Sequence, residues 1–81
     1  MSATYRLDDP RLQDVPPSAR LVYVVLDHND DPMTQKEVAE ATLLPPRTVR
    51  YALDELDEAG LVASEWNVVD ARQKLYVISR R

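Results

Sequence analysis

Thr34-Gln-Lys-Glu-Val-Ala-Glu-Ala-Thr-Leu-Leu-Pro-Pro-Arg-Thr-Val-Arg-Tyr-Ala-Leu-Asp-Glu-Leu-Asp-Glu-Ala-Gly60 decides the fold, because it holds two helical periods separated by a few residues. Thr34 with Glu37 forms a capping box: the hydroxyl takes a first-turn amide and the carboxylate reaches back to the cap amide. A helix therefore starts at Thr34. Its apolar positions Val38, Ala39 and Ala41 carry it about two turns, after which Thr42-Leu43-Leu44-Pro45 continues no stripe and Pro45 biases Leu44 away from helical angles. The next helix opens at Pro46, since proline suits the first helical position. It shows Val49, Ala52, Leu53 and Leu56 on one face before Gly60 supplies a left-handed cap. Two helices joined by a tight turn make a helix-turn-helix, a motif that in DNA-binding proteins lays its second helix in the major groove.

Upstream, Pro16-Pro17 introduces Ser18 to Asp27, where Ala19, Leu21, Val22, Val25 and Leu26 are spaced for a helix. Val22, Val24 and Val25 are β-branched, but ten residues after a proline pair favour helix over strand. Each proline pair, here and at Pro45-Pro46, replaces the usual Ser or Asp cap with a ring that presets the entry angle. His28-Asn29-Asp30-Asp31-Pro32 is a loop by composition, and His28 reads as a side chain compensating the dipole at the helix C-terminus. Residues 1–14 mix Arg6, Asp8, Asp9, Arg11 and Asp14 with scattered Tyr5, Leu7 and Leu12 and show no sustained period. They are expected to form an N-terminal arm, either frayed or packed on a second subunit, ahead of a domain at 15–81.

After Gly60 the pattern turns extended. Leu61 to Trp66 and Arg72 to Ser79 are two β-favouring runs around Asn67-Val68-Val69-Asp70-Ala71, and read as one hairpin. Leu75, Tyr76, Val77 and Ile78 are apolar on both faces. One side is then covered by the helices, and the other is left for a short third strand near Met33, the arm or a partner. Trp66, near the hairpin tip, reads as a structural residue. The fold class is α+β: three helices followed by a two-stranded hairpin.

Composition narrows the chemistry. Eighty-one residues make one small domain that buries about 60–65% of its unfolded surface. Cysteine is absent and His28 is the sole histidine, so neither a thiolate site nor an ordinary zinc site is expected. A single glycine is too few for phosphate-cradling loops, and no cofactor is expected. No apolar run approaches the roughly 18 residues of a membrane span, and no leader pattern opens the chain, so a cytoplasmic protein without membrane contact is expected. The carboxylates that lie near each other, such as Asp54 and Glu58, fall on an exposed helix face with no nucleophile and base paired beside them, so an enzyme is not expected.

The net charge is −4, which opposes non-specific attraction to phosphate. Its distribution is uneven: residues 1–45 carry four basic and eight acidic side chains, residues 46–81 six of each. Nine Asp against five Glu, and eight Arg against two Lys, look like adaptation to concentrated salt, as in a halophilic archaeal protein.

The order of helix, helix-turn-helix and hairpin over Ser18 to Ser79 resembles the winged helix-turn-helix domains of bacterial and archaeal transcription regulators, most closely the MarR-like group. The pieces that carry the resemblance are Met33 to Ala39, Arg47 to Leu53, Leu56 to Val62, and the wing's Asp70-Ala71-Arg72 with Leu75, Ile78 and Ser79. The long helices that flank the domain and make the dimer in MarR regulators have no counterpart in this sequence. The resemblance implies a sequence-specific regulator of transcription that binds double-stranded DNA, as a homodimer on a two-fold site. Its recognition helix, about 46–59, would enter the major groove and its wing, 61–79, the flanking minor groove. Arg47, Thr48, Arg50 and Tyr51 then face outward at the end of the recognition helix that family members insert. Thr34, Gln35 and Lys36 are placed for a backbone phosphate, and Arg72 and Lys74 bring the wing to the minor groove with Asp70 orienting Arg72. Asp54, Glu55, Asp57 and Glu58 would be repelled by phosphate, limiting entry to the first two turns. The acidic net charge leaves an alternative: a winged-helix module of a transcription or replication assembly that docks its acidic helix face on a basic protein partner.

Overall fold

The computed structural model describes residues 9–79, and Tyr5, Arg6, Leu7 and Asp8 of the expected arm lie outside them. A 3₁₀ helix at Pro10–Asp14 leads into α1 (Pro17–His28), β1 (Met33–Thr34), α2 (Gln35–Thr42), α3 (Pro46–Glu58), β2 (Val62–Trp66) and β3 (Lys74–Ile78). The sheet has the order β1-β3-β2 with both pairings antiparallel. This is the expected three helices and hairpin. The short strand at Met33 is present too, pairing Met33 with Tyr76 and Thr34 with Leu75.

Local chemistry sets the helix ends. At α2 the capping box is complete: Glu37 donates its amide to Thr34 Oγ1 at 3.1 Å and Thr34 donates its amide to Glu37 Oε1 at 2.8 Å. Pro16 and Pro45 stand at the N-caps of α1 and α3 without side-chain caps. Their carbonyls instead accept from Ala19 and Arg20 (3.0 and 3.1 Å) and from Val49 (3.0 Å). α2 ends by a device the sequence did not advertise. Leu43 takes a left-handed φ of 62°, while Thr42 Oγ1 donates to the Val38 carbonyl at 2.8 Å and accepts from the Leu44 amide at 3.2 Å. A left-handed leucine carries a steric cost of roughly 1–2 kcal/mol, and the turn bears it where Pro45 caps the next helix and Pro46 opens it. Gly60, φ 76°, carries the expected left-handed exit from α3.

The core gathers Ala19, Val22 and Leu26 of α1, Val38 of α2, Val49, Ala52, Leu53 and Leu56 of α3, and Leu61, Val62 and Ile78 around the sheet. Leu21 is exposed at 41% and Ala41 is also exposed, so both leave the stripes on which their spacing placed them. The segment read as an arm contributes to this core. Leu12 is 1% exposed, packed with the buried Val15 that opens the expected domain. Two arginines tie the segment down. Arg20 Nη1 donates to the Leu12 and Val15 carbonyls at 3.2 and 3.1 Å, and Arg11 Nη1 to the Ala59 and Gly60 carbonyls, both at 3.3 Å. One 3₁₀ turn is too short to show a helical period, which is why its packing is invisible in the sequence pattern.

Candidate nucleic-acid interface

α2 and α3 are held at a fixed angle by apolar packing and by Gln35 Nε2, which donates to the Pro46 carbonyl at 3.4 Å. The N-terminal turns of both helices therefore open toward the same side as the wing. Between them lies an open groove of about 400 Å³, lined by Thr34, Gln35, Lys36, Arg50, Asp54, Trp66, Arg72, Gln73, Lys74 and Tyr76. Six of the nine residues expected to contact DNA meet here: Thr34, Gln35, Lys36, Arg50, Arg72 and Lys74. Arg47, Thr48 and Tyr51 lie outside the groove on α3, with Arg47 and Tyr51 exposed and Thr48 half-buried.

The groove's walls have different characters. Arg50 and Asp54, four residues apart, share one flank of α3 and face the wing. On the wing, strand alternation puts Val62, Ser64 and Trp66 on the face that carries Tyr76 and Ile78, since Ser64 pairs with Tyr76 and Val62 with Ile78. Val62 and Ile78 are buried, so the same face continues from the core into the groove. Lys74 pairs with Trp66, and its ammonium sits 5.2 Å from the indole centroid, a cation-π contact that stiffens both side chains. The Tyr76 hydroxyl is pushed above its usual pKa, first by partial burial and next by the neighbouring Asp54 carboxylate, so it stays a neutral donor.

The wing's turn is built. Asp70 Oδ1 accepts from the Arg72 amide at 3.1 Å and from Arg72 Nε at 3.3 Å, the orienting contact expected of Asp70. Arg72 keeps a side chain that is 90% exposed, so its terminal nitrogens point into solvent. Thr34, by contrast, already uses its hydroxyl as an acceptor in the capping box, and its O–H donor is the part that can reach a phosphate oxygen.

Four groove residues were not among the expected contacts: Trp66, Gln73, Tyr76 and Asp54. Trp66 is 60% exposed and forms part of the groove wall instead of the core. Its facing could have been read from strand parity with Val62, which sits just beyond the apolar exit from α3. Among the described residues Asp54 is the only carboxylate lining the groove, one turn below Arg50. Among the described residues no cluster of His, Asp and Glu could hold a metal ion, and no helix is long and apolar enough to cross a membrane.

A MarR family model matches residues 13–73. Among solved structures, a probable transcriptional regulator from Pseudomonas aeruginosa superposes with TM-score 0.76 at 22% identity, covering 85% of this chain and 52% of that one. A MepR–DNA complex from S. aureus gives TM-score 0.73 at 25% identity, over 86% of this chain and 59% of that one. The PcaV transcriptional regulator from Streptomyces coelicolor, in complex with its natural ligand, gives TM-score 0.74 at 20% identity, over 96% and 67%. The chain spans about half the length of the first of these regulators, 52%. No curated protein matches the chain by sequence.

Proposed function

The chain belongs to the MarR family, and from that membership together with the groove we propose that it is a sequence-specific, double-stranded DNA-binding regulator of transcription. α3 enters the major groove by its first two turns, and the wing lies at the flanking minor groove. The observation that carries this reading is the convergence of Lys36, Arg50, Arg72 and Lys74 from three separate elements on one open groove, in a chain whose net charge is −4. Concentrating cations there against the overall balance suits a polyanion.

Arg47 and Arg50 read base edges, each able to fork to guanine O6 and N7 and so to contribute roughly 1–3 kcal/mol of discrimination. Thr48 and Tyr51 take phosphate or a thymine methyl. Thr34, Gln35 and Lys36, at the start of α2, take a backbone phosphate, and Arg72 and Lys74 take the minor-groove edge. Asp54 limits how deeply α3 can enter, since its carboxylate repels phosphate and accepts only from a base amino group. One α3 covers only a few base pairs. We therefore assign a homodimer on a two-fold operator with half-sites about one helical turn apart, working in a cytoplasm rich in salt.

The test is fluorescence anisotropy of a labelled pool of random duplexes, run across a salt series down to a few millimolar. The wild-type chain should bind saturably and the Arg47→Ala/Arg50→Ala variant should lose specific binding with its fold intact. Equal binding by the two would overturn the assignment, and full stability at a few millimolar salt would overturn the salt adaptation.

A further inference from the structure

The wing ends in an apolar tip. Val68 is 98% exposed and Val69 91%, the two most exposed large hydrophobic side chains among the described residues. The loop does not present them by fraying. Asn67 Oδ1 accepts from the Val69 and Asp70 amides at 2.9 and 3.4 Å, Asn67 donates its amide to the Gln73 carbonyl at 2.9 Å, and Gln73 donates its own to the Asp70 carbonyl at 3.0 Å. An Asx turn closed by two backbone bonds thus holds a pair of valines in water, where each forfeits its hydrophobic gain.

What the tip meets is set by what flanks it. Arg72, Gln73 and Lys74 follow after Asp70 and Ala71 and line the groove with α3, so the tip prolongs the same surface by one loop. Resting on the reading of that groove as a DNA site, we propose that Val68 and Val69 form a non-ionic contact with the minor groove, packing on the C–H faces of its deoxyribose walls while Arg72 supplies the charge. Proteins that use this groove do place apolar side chains there beside basic ones. Two valines are far too small a patch to anchor a protein interface, which needs on the order of 1,200 Å² or more. A chain of net charge −4 is also poorly suited to an anionic lipid surface, where tip insertion would need supporting cations all round.

The contact has a particular use in this chain. Phosphate contacts weaken steeply as salt rises because their gain comes from released counterions, whereas an apolar contact releases none. Where salt weakens the contacts of Lys36, Arg50, Arg72 and Lys74, the valine tip supplies affinity that does not fade.

The experiment compares Val68→Ser/Val69→Ser, Val68→Ile/Val69→Ile, Arg72→Ala and wild type on the duplex enriched from the random pool, measuring Kd across the salt series. Both double substitutions sit in solvent, so the fold is unaffected, and circular dichroism checks it. The serine pair should weaken binding roughly tenfold at every salt concentration, giving a line parallel to wild type. The isoleucine pair should bind at least as tightly as wild type. Arg72→Ala should instead flatten the line by about one unit of slope. Wild-type affinity in the serine pair, with Arg47→Ala/Arg50→Ala still unable to bind, would overturn the proposal and leave the DNA reading standing. A serine pair that also flattens the slope would overturn it by showing that the tip acts only through Arg72. Absence of binding by wild type would overturn both. Wild type, but not the serine pair, sedimenting with phosphatidylglycerol–phosphatidylcholine vesicles while duplex affinity is unchanged would overturn the proposal alone and give the tip to a lipid surface.

Discussion

Replacing Leu12 with alanine tests whether the segment before α1 is part of the domain. Leu12 is 1% exposed and belongs to the same core cluster as Ala19, Leu53, Leu56 and Leu61, although it stands in a single 3₁₀ turn. Leu12→Ala removes three carbons at about 0.8 kcal/mol each, and a residual cavity adds to that. A short terminal turn can settle into part of the space, so the total falls near the low end of the leucine series, roughly 2–3 kcal/mol. Against a stability of roughly 0.05–0.15 kcal/mol per residue, which for 81 residues means about 4–12 kcal/mol, that is a large fraction. The melting temperature should fall by about 10–20 °C. Urea unfolding followed by far-UV circular dichroism measures it, with Leu12→Met as a control that keeps the volume and should cost under about 1.5 kcal/mol. A cost below about 0.5 kcal/mol, the range of surface substitutions, would refute the packing of this segment and return it to the status of an arm.

Two further outcomes follow from charge. Asp9 is held at a pKa of about 2 by the side-chain and backbone hydrogen bonds it accepts from Arg11. Its folded value lies below its ordinary 3.8, so its contribution is complete above that pH and is lost as pH falls through about 2. Asp9→Asn should therefore lower stability at neutral pH and flatten the acid limb of the stability profile between those values; an acid limb identical to wild type would show that the pair is not linked to folding. On α3, Asp57→Lys/Glu58→Lys should tighten DNA binding several-fold at low salt and lose that gain in high salt, as added cations near phosphate do. Weaker binding in anisotropy would refute the orientation proposed for the helix and favour docking of this face on a basic protein.

The helices were legible because each announces itself within a few residues. The Thr34–Glu37 capping box, the two proline pairs and Gly60 act over one turn, and the stripe Val49, Ala52, Leu53, Leu56 spans about two. All of those side chains are buried as their spacing requires. The hairpin announced itself by its change of period at Gly60, and the apolar surplus of Leu75 to Ile78 left a place for a strand near Met33, the arm or a partner, of which the structure supplies the strand at Met33–Thr34. Six of the expected contact residues also meet in one groove.

The sequence by itself determined, then, the helices, the starts of α2 and α3, the exit at Gly60 and the hairpin. Each of these depends on interactions between near neighbours along the chain. Tertiary structure alone decided the rest. Leu12 is buried and Arg11 reaches Ala59 and Gly60 across 48 and 49 positions, contacts for which no local pattern exists. Leu21 and Leu43 are exposed despite their hydrophobicity because the neighbours that would cover them lie elsewhere. The groove depends on the angle between α3 and the wing, since only that angle sets Trp66, Tyr76 and Asp54 beside Arg50. Periodicity states which side of an element is apolar; what an outward side chain faces is fixed only when separate elements pack.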